Sequence, residues 1–359
     1  MDLPGKSSLL GQAVSGNRDG KAASQLAFLR NLQRLLDEGQ FTASYKYALL
    51  IALSDLSIEK SSAPDGTLRI DISELAERFI ELYWRHTAPF RGSGVLAQNT
   101  ARQATVISAI ANVRSRVSSL AEVRRSKDWS GLVRRLCRLL LEMPLWKLQT
   151  VRQGKLVFLY EETLVGEAVV LKPGVAESFR DLHSLIQALI QLAWLRYVQR
   201  LPQNQPLVGQ GSDLADFLFG SERSMLGRLR QHLLDLQHGS CFYCCRSVKD
   251  KGEVDHFIPW VLYSRDLGHN FVLAHGSCNR YKSDLLADVP HLARWNERNT
   301  SRGSELRELF KTVHLLHDID TSTKVAYWAY ERVDQNRGSV WTEGKSARPL
   351  DQSWRGILG

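Results

Sequence analysis

Residues 241–286 read CFYCCRSVKDKGEVDHFIPWVLYSRDLGHNFVLAHGSCNRYKSDLL, and the rest of the chain is interpreted outward from them. The stretch opens with Cys-x-x-Cys (Cys241, Cys244) and closes with His-x-x-Cys (His275, Cys278). Two short turns, each offering two nitrogen or sulfur donors, have the spacing of a zinc knuckle, in which four such ligands surround the ion tetrahedrally. Between them lies Val-Asp-His-Phe-Ile-Pro, and directly after the second pair comes Asn-Arg-Tyr-Lys. These inner residues are of the types that metal-assisted phosphodiester cleavage needs. A histidine titrating near neutrality can take a proton from water, and hard oxygen donors can hold a divalent ion.

The order of these elements, Asp255-His256-x-x-Pro259, then Asn270, then Cys278-Asn279-x-x-Lys282, resembles the HNH (ββα-metal) endonuclease superfamily. The likeness is to its zinc-containing branch, with the HNH domain of CRISPR effector nucleases and HNH restriction and defence enzymes. It covers about fifty residues, so it speaks to chemistry rather than to biological role. What it implies is a structural Zn²⁺ on Cys241, Cys244, His275 and Cys278, with His275 where a cysteine is usual. His256 takes the role of general base. Asp255 and the side-chain carbonyl of Asn279 are expected to hold one catalytic Mg²⁺ or Mn²⁺, and Asn270 to brace the loop and help orient His256. Lys282, one helical turn after Asn279, is expected to meet the phosphate or the metal site. Neighbours on an extended strand face opposite ways, so Asp255 and His256 converge only through the twist that the family architecture implies. Cys245 is expected to be a small buried residue, with ligation as its alternative, and Cys137 to lie in an apolar helix. His269 is a minor alternative participant. The first strand is expected over Glu253–Ile258 and the second over Phe271–Ala274, with a helix starting near Gly276–Asn279.

The whole chain has 359 residues, 43% hydrophobic and 24% charged, as in ordinary globular proteins of two or three domains. Its 47 Lys and Arg against 38 Asp and Glu give a net charge of +9, which favours a polyanionic partner. No apolar run is long enough to cross a membrane, and the N-terminus lacks the basic start and apolar core of a signal peptide. Five cysteines, four of them in the stretch above, do not suggest a disulfide framework, and a cytoplasmic location is expected.

The expected fold class is mainly α with small β elements (α+β). A loose leader is expected over residues 1–21, then a mainly helical unit over 22–205 with a hairpin near 155–171. The polar run at 206–221 reads as a linker, residues 222–300 as the ββα zinc module, and 301–359 as a helical extension. Arg124, Arg125, Arg134 and Arg138 belong to a basic cluster that would track a phosphate backbone, or else form a solvated helical face. Arg280 and Lys282 add nucleic-acid contacts at the module. Together these imply a metal-dependent DNA endonuclease, with RNA left open as substrate, in restriction or antiphage defence, acting with a homodimer mate or a defence-system partner. The alternatives are a zinc-stabilised nucleic-acid-binding protein without activity, and a nonspecific nuclease toxin.

Overall fold

The computed structural model describes residues 9–39, 41–100, 104–117, 119–208, 213–221, 223–248 and 252–359. Two hydrophobic cores organise them, one N-terminal and one C-terminal. The first surrounds a helix that is apolar on all sides, and such a helix must be enclosed. Its sequence YKYALLIALSDLSIE forms α2 (Tyr45–Glu59), with buried residues all round its circumference. Before it runs α1 (Leu9–Glu38), so helix already covers most of the expected leader; residues 1–8 lie outside the described residues.

Against α2 pack α3 (Ile72–Trp84), α7 (Pro144–Lys147), α8 (Val175–Asp181) and α9 (His183–Arg200), while α4 (Thr105–Arg114) and α6 (Asp128–Glu142) pack on α3 and α5 (Leu120–Arg124) packs on α6. A capping box starts α3, with the Glu74 side chain accepting from the Asp71 N–H at 2.8 Å. Strand β1 (Leu68–Asp71) precedes it, and a small hairpin follows α7, formed by β2 (Thr150–Val151) and β3 (Gly154–Lys155).

The expected hairpin near 155–171 is not the one formed. Strand β4 (Ala168–Leu171) pairs antiparallel with β1, Ile70 opposite Val169, and touches the 155–160 run at one bridge, Tyr160 to Leu171. Two apolar runs close in sequence satisfied the local pattern, but the edge of β1 supplied the fuller ladder. The expected linker is also partly structured. It overlaps α10 (Gln205–Val208) and contains α11 (Leu214–Phe219), whose Leu214 and Leu218 enter the first core.

The second core begins in α12 (Arg223–Leu236) with Leu229 and Leu233. It continues through the antiparallel pair β5 (Gly252–His256) and β6 (Phe271–His275), which leads directly into α13 (Gly276–Lys282). Then come α14 (Val289–Ser301), α15 (Gly303–Thr312), α16 (Ile319–Gln335), the pair β7 (Ser339–Trp341) and β8 (Ala347–Pro349), and α17 (Arg355–Leu358). The C-terminal elements close the module's core. Phe257, just beyond β5, stacks on Trp295 of α14 at 5.3 Å between ring centroids, and Phe310, Tyr330, Trp341 and Trp354 complete the same cluster.

The cores meet along α2, whose Ile58 belongs to the second cluster. There a buried ion network crosses between them. Arg78 bridges Glu59 and Glu81, while Arg265, in the loop between β5 and β6, donates to both Glu81 oxygens at 3.0 and 2.7 Å. The Tyr263 hydroxyl donates to Glu59. Burial alone would raise the Glu81 carboxyl, but Arg265, Arg78 and Arg124 outweigh it and hold it at about 2. Depression of a carboxylate in the folded state adds stability above its unfolded pKa of 4.5, lost as pH falls towards 2. The urea midpoint should therefore fall steeply between about pH 4.5 and 2. Glu81→Gln should be less stable at neutral pH and show a shallower fall; an unchanged slope would mean that Glu81 is not so held.

Candidate functional site

The knuckle is built at the junction of a turn and a strand end. The Cys241–Cys245 turn is closed by the Cys245 N–H on the Cys241 carbonyl at 3.0 Å, and it is tied to β6 by the Phe242 N–H on the Leu273 carbonyl at 2.9 Å. Arg294 of α14 donates to the Phe242 and Tyr243 carbonyls at 2.6 and 3.1 Å. The last residue of β6 is His275, and α13 carries Cys278 one turn later. At Gly276 the helix starts so close to β5 that a Cβ there would lie 2.5 Å from Glu253 Oε1.

These elements place one donor atom each of Cys241, Cys244, His275 and Cys278 within 4.8 Å of one another. The His275 ring is set for ligation. Its Nε2–H donates to the Ser247 carbonyl at 3.0 Å, leaving Nδ1 facing Cys244 Sγ at 3.2 Å. Three sulfurs so close repel one another as anions. Burial and the Cys241 and Cys244 thiolates push Cys278 up to about 12. Burial acts upward on Cys244 as well, but hydrogen bonds from Arg246 and Cys241 help bring it down to about 6. A dication at the centre removes that repulsion, and Cys₃His is a donor set that Zn²⁺ takes. Cys245 departs from its expected place. It is exposed, with φ of 58°, and its sulfur lies 2.9 Å from Arg294 Nη1, outside the four-residue group. The left-handed turn directs it away from the core. Cys137 packs partly buried against the first core.

Strand β5 presents Asp255 and His256 to different surroundings. The Asp255 carboxylate is 8% exposed and its Oδ2 accepts from the Tyr243 hydroxyl at 2.5 Å, with Lys282 Nζ at 3.1 Å. Lys282 also donates to the His256 carbonyl at 2.9 Å and is fully buried. Lys282 thus lies beside Asp255 and away from the surface, which speaks against the nucleic-acid contact expected of it. His256 Nε2 lies 2.8 Å from Asp266 Oδ1, and the ring sits between Trp260 and Phe271, at 5.1 and 4.6 Å between centroids.

Asn270 grips the chain just after His256. Its Oδ1 accepts from the Ile258 N–H at 2.7 Å and its Nδ2 donates to the Ile258 carbonyl at 2.9 Å. Asn279 Nδ2 donates to Glu253 Oε2 at 3.0 Å, which leaves its carbonyl oxygen as a donor for a hard cation. Asp255, Glu253 and the Asn279 carbonyl are oxygen ligands of the kind Mg²⁺ or Mn²⁺ takes. His269 stands apart. Its ring packs on Phe310 and His317, where burial, Arg298 and His317 bring it down to about 4.

The basic residues do not form one surface. Arg124 turns inward to Glu77 and Glu81 at 2.7 and 3.0 Å, and Arg125 reaches the Lys311 carbonyl and His314. Arg134 and Arg138 are exposed on α6, opposite its buried Leu132, Leu136 and Leu140. Arg280 is exposed beside Asn279, with Glu253 at 3.7 Å. Sequence reasoning missed Tyr243, Glu253 and Asp266. Tyr243 and Glu253 lie inside the motif, but nothing local marks Asp266, ten residues beyond His256 in a loop.

Metal analysis of the purified protein should find one zinc per chain, reduced to a small fraction in Cys278→Ser and retained in Cys245→Ser. Zinc retained in Cys278→Ser would exclude the four-residue site.

Among the described residues no helix is long and apolar enough to cross a membrane. Residues 241–285 match the family model for the HNH endonuclease, and residues 25–218 match the family described as domain of unknown function (DUF8808). No curated protein and no solved structure is found to match the chain. Since the DUF8808 match spans more than half of its length, the chain belongs to that family, and it carries an HNH endonuclease domain with a ββα arrangement of β5, β6 and α13.

Proposed function

We propose that the protein is a metal-dependent DNA endonuclease in which His256 is the general base and Cys241, Cys244, His275 and Cys278 hold a structural zinc. The observation that carries this reading is the pairing of His256 Nε2 with Asp266 at 2.8 Å. An ionised carboxylate accepts from the Nε2–H and so reserves the Nδ1 lone pair for a proton from water. Asn270 contributes by fixing the Ile258 backbone through both of its polar atoms.

The oxygen donors of Asp255 and Asn279 are those that would hold Mg²⁺ or Mn²⁺. A cation bound there supplies Lewis-acid neutralisation of the scissile phosphate. Tyr243 and Lys282 hold the Asp255 carboxylate in one orientation from the buried side. Arg280, with its side chain 72% exposed next to Asn279, would meet the flanking phosphate. The net charge of +9 suits a polyanionic substrate. The leaving 3′ oxygen takes its proton from solvent.

Supercoiled plasmid incubated with the purified chain and Mg²⁺ should be nicked or linearised, and EDTA should stop it. His256→Ala should lower the rate by about 10²–10⁴-fold, the contribution of a positioned base. Cleavage by His256→Ala at the wild-type rate would remove that residue from the chemistry. DNA bound but left intact by the wild type would favour the inactive binding protein.

A further inference from the structure

The loop between β5 and β6 is one of the places where the N-terminal unit touches the module, and it carries Asp266. We infer that Asp266 is a positioning residue for His256, and that the DUF8808 region completes the nuclease centre by holding the loop that carries it. The inference rests on the proposed role of His256.

Three anchors from the N-terminal side converge on this loop. Glu59 of α2 accepts from the Tyr263 hydroxyl and from Arg265. Glu81 of α3 takes the Arg265 guanidinium on both of its oxygens, a bidentate geometry that fixes orientation as well as distance. Arg85 holds the Gly220 carbonyl, and the next residue, Ser221, donates to the Asp266 carboxylate at 3.1 Å. Asp266 therefore sits directly after a residue clamped on two sides and is itself tethered by a third.

The clamped Arg265 and the imidazole's partner Asp266 are adjacent in the chain, and that adjacency gives the contact a use beyond adhesion. An apolar seam would join two units as well, without ionised groups withdrawn from water. Arg265 is 12% exposed, Glu59 and Glu81 are each 9% exposed, and Arg78 between them is 4% exposed. So dense a network admits few alternative arrangements, since an unpaired charge there is costly. It holds Asp266 Oδ1 where it meets both Ser221 Oγ at 3.1 Å and His256 Nε2 at 2.8 Å. The β5–β6–α13 unit alone contains His256 and Asp266 but none of Glu59, Glu81, Arg85 or Ser221.

The test uses the full chain and single-turnover cleavage of saturated DNA with Mg²⁺. Asp266→Ala should slow cleavage by about 10–100-fold, the usual loss for a group that orients a functional side chain. DNA affinity and zinc content should stay unchanged. In a His256→Ala background the same substitution should cost nothing further, because its effect runs through the imidazole. Equal slowing in both backgrounds, or none in the wild type, would overturn the inference.

A second readout needs no activity. In histidine-¹⁵N-labelled protein, the ring signals missing from His256→Ala should report an Nε2-protonated imidazole. They should shift in Asp266→Ala and also in Tyr263→Phe, which removes one clamp hydroxyl and keeps the ring. His256 signals indifferent to both substitutions would overturn the inference even if DNA is cut. A wild-type chain that cuts no DNA but shows those shifts would defeat the nuclease reading and leave the clamp standing.

Discussion

Two glutamates withdrawn from water, Glu59 and Glu81, are the constraint on which the assembly depends. Each sits on a helix of the first core, α2 or α3, and each is answered by an arginine from either side of the junction, Arg78 from within and Arg265 from the module. Buried ion pairs add little net stability over apolar packing, yet removing one partner is expensive because the other charge stays behind. The network thus sets the register of the two units more than it glues them. The surrounding apolar contact, with Ile58 of α2 in the module's core and Trp328 of α16 donating to the Arg180 carbonyl, supplies adhesion.

The module's own organisation follows from strand geometry. Asp255 and His256 are consecutive but are held by different partners, so each has its own support. Asp255 is supported from the knuckle side, because Tyr243 lies within the Cys241–Cys244 turn and Lys282 ends the helix that carries Cys278. His256 is supported from the loop and, through it, from the N-terminal unit. A metal holding the knuckle together would thereby also keep Tyr243 on Asp255 and Asn279 at the start of α13. So short a unit has little apolar core of its own to do this.

Much of this centre was legible locally. The Cys-x-x-Cys and His-x-x-Cys spacings, the strand around Asp255 and His256 and the helix start near Gly276 all lie within one stretch whose pattern needs no distant partner. What was not legible depends on pairing across the chain. The run 168–171 reads as half of a local hairpin, and only the fold shows that residues 68–71 take it as partner. Arg124 reads as surface charge because sequence displays a charge without its counterion, here Glu77 and Glu81. Cys245 reads as a small core residue until the turn's left-handed φ sends it outward. Asp266 is an unremarkable loop acid until the loop folds back on His256.

The most direct test of the account is the chemistry of the cut ends. A duplex labelled at either terminus, incubated with the full chain and Mg²⁺, should yield fragments ending in 5′-phosphate and 3′-hydroxyl. Those are the products of water activated by His256 displacing the 3′ oxygen. Uncut duplex under conditions where the protein binds it and holds zinc, or cut ends bearing a 3′-phosphate, would contradict the proposed centre.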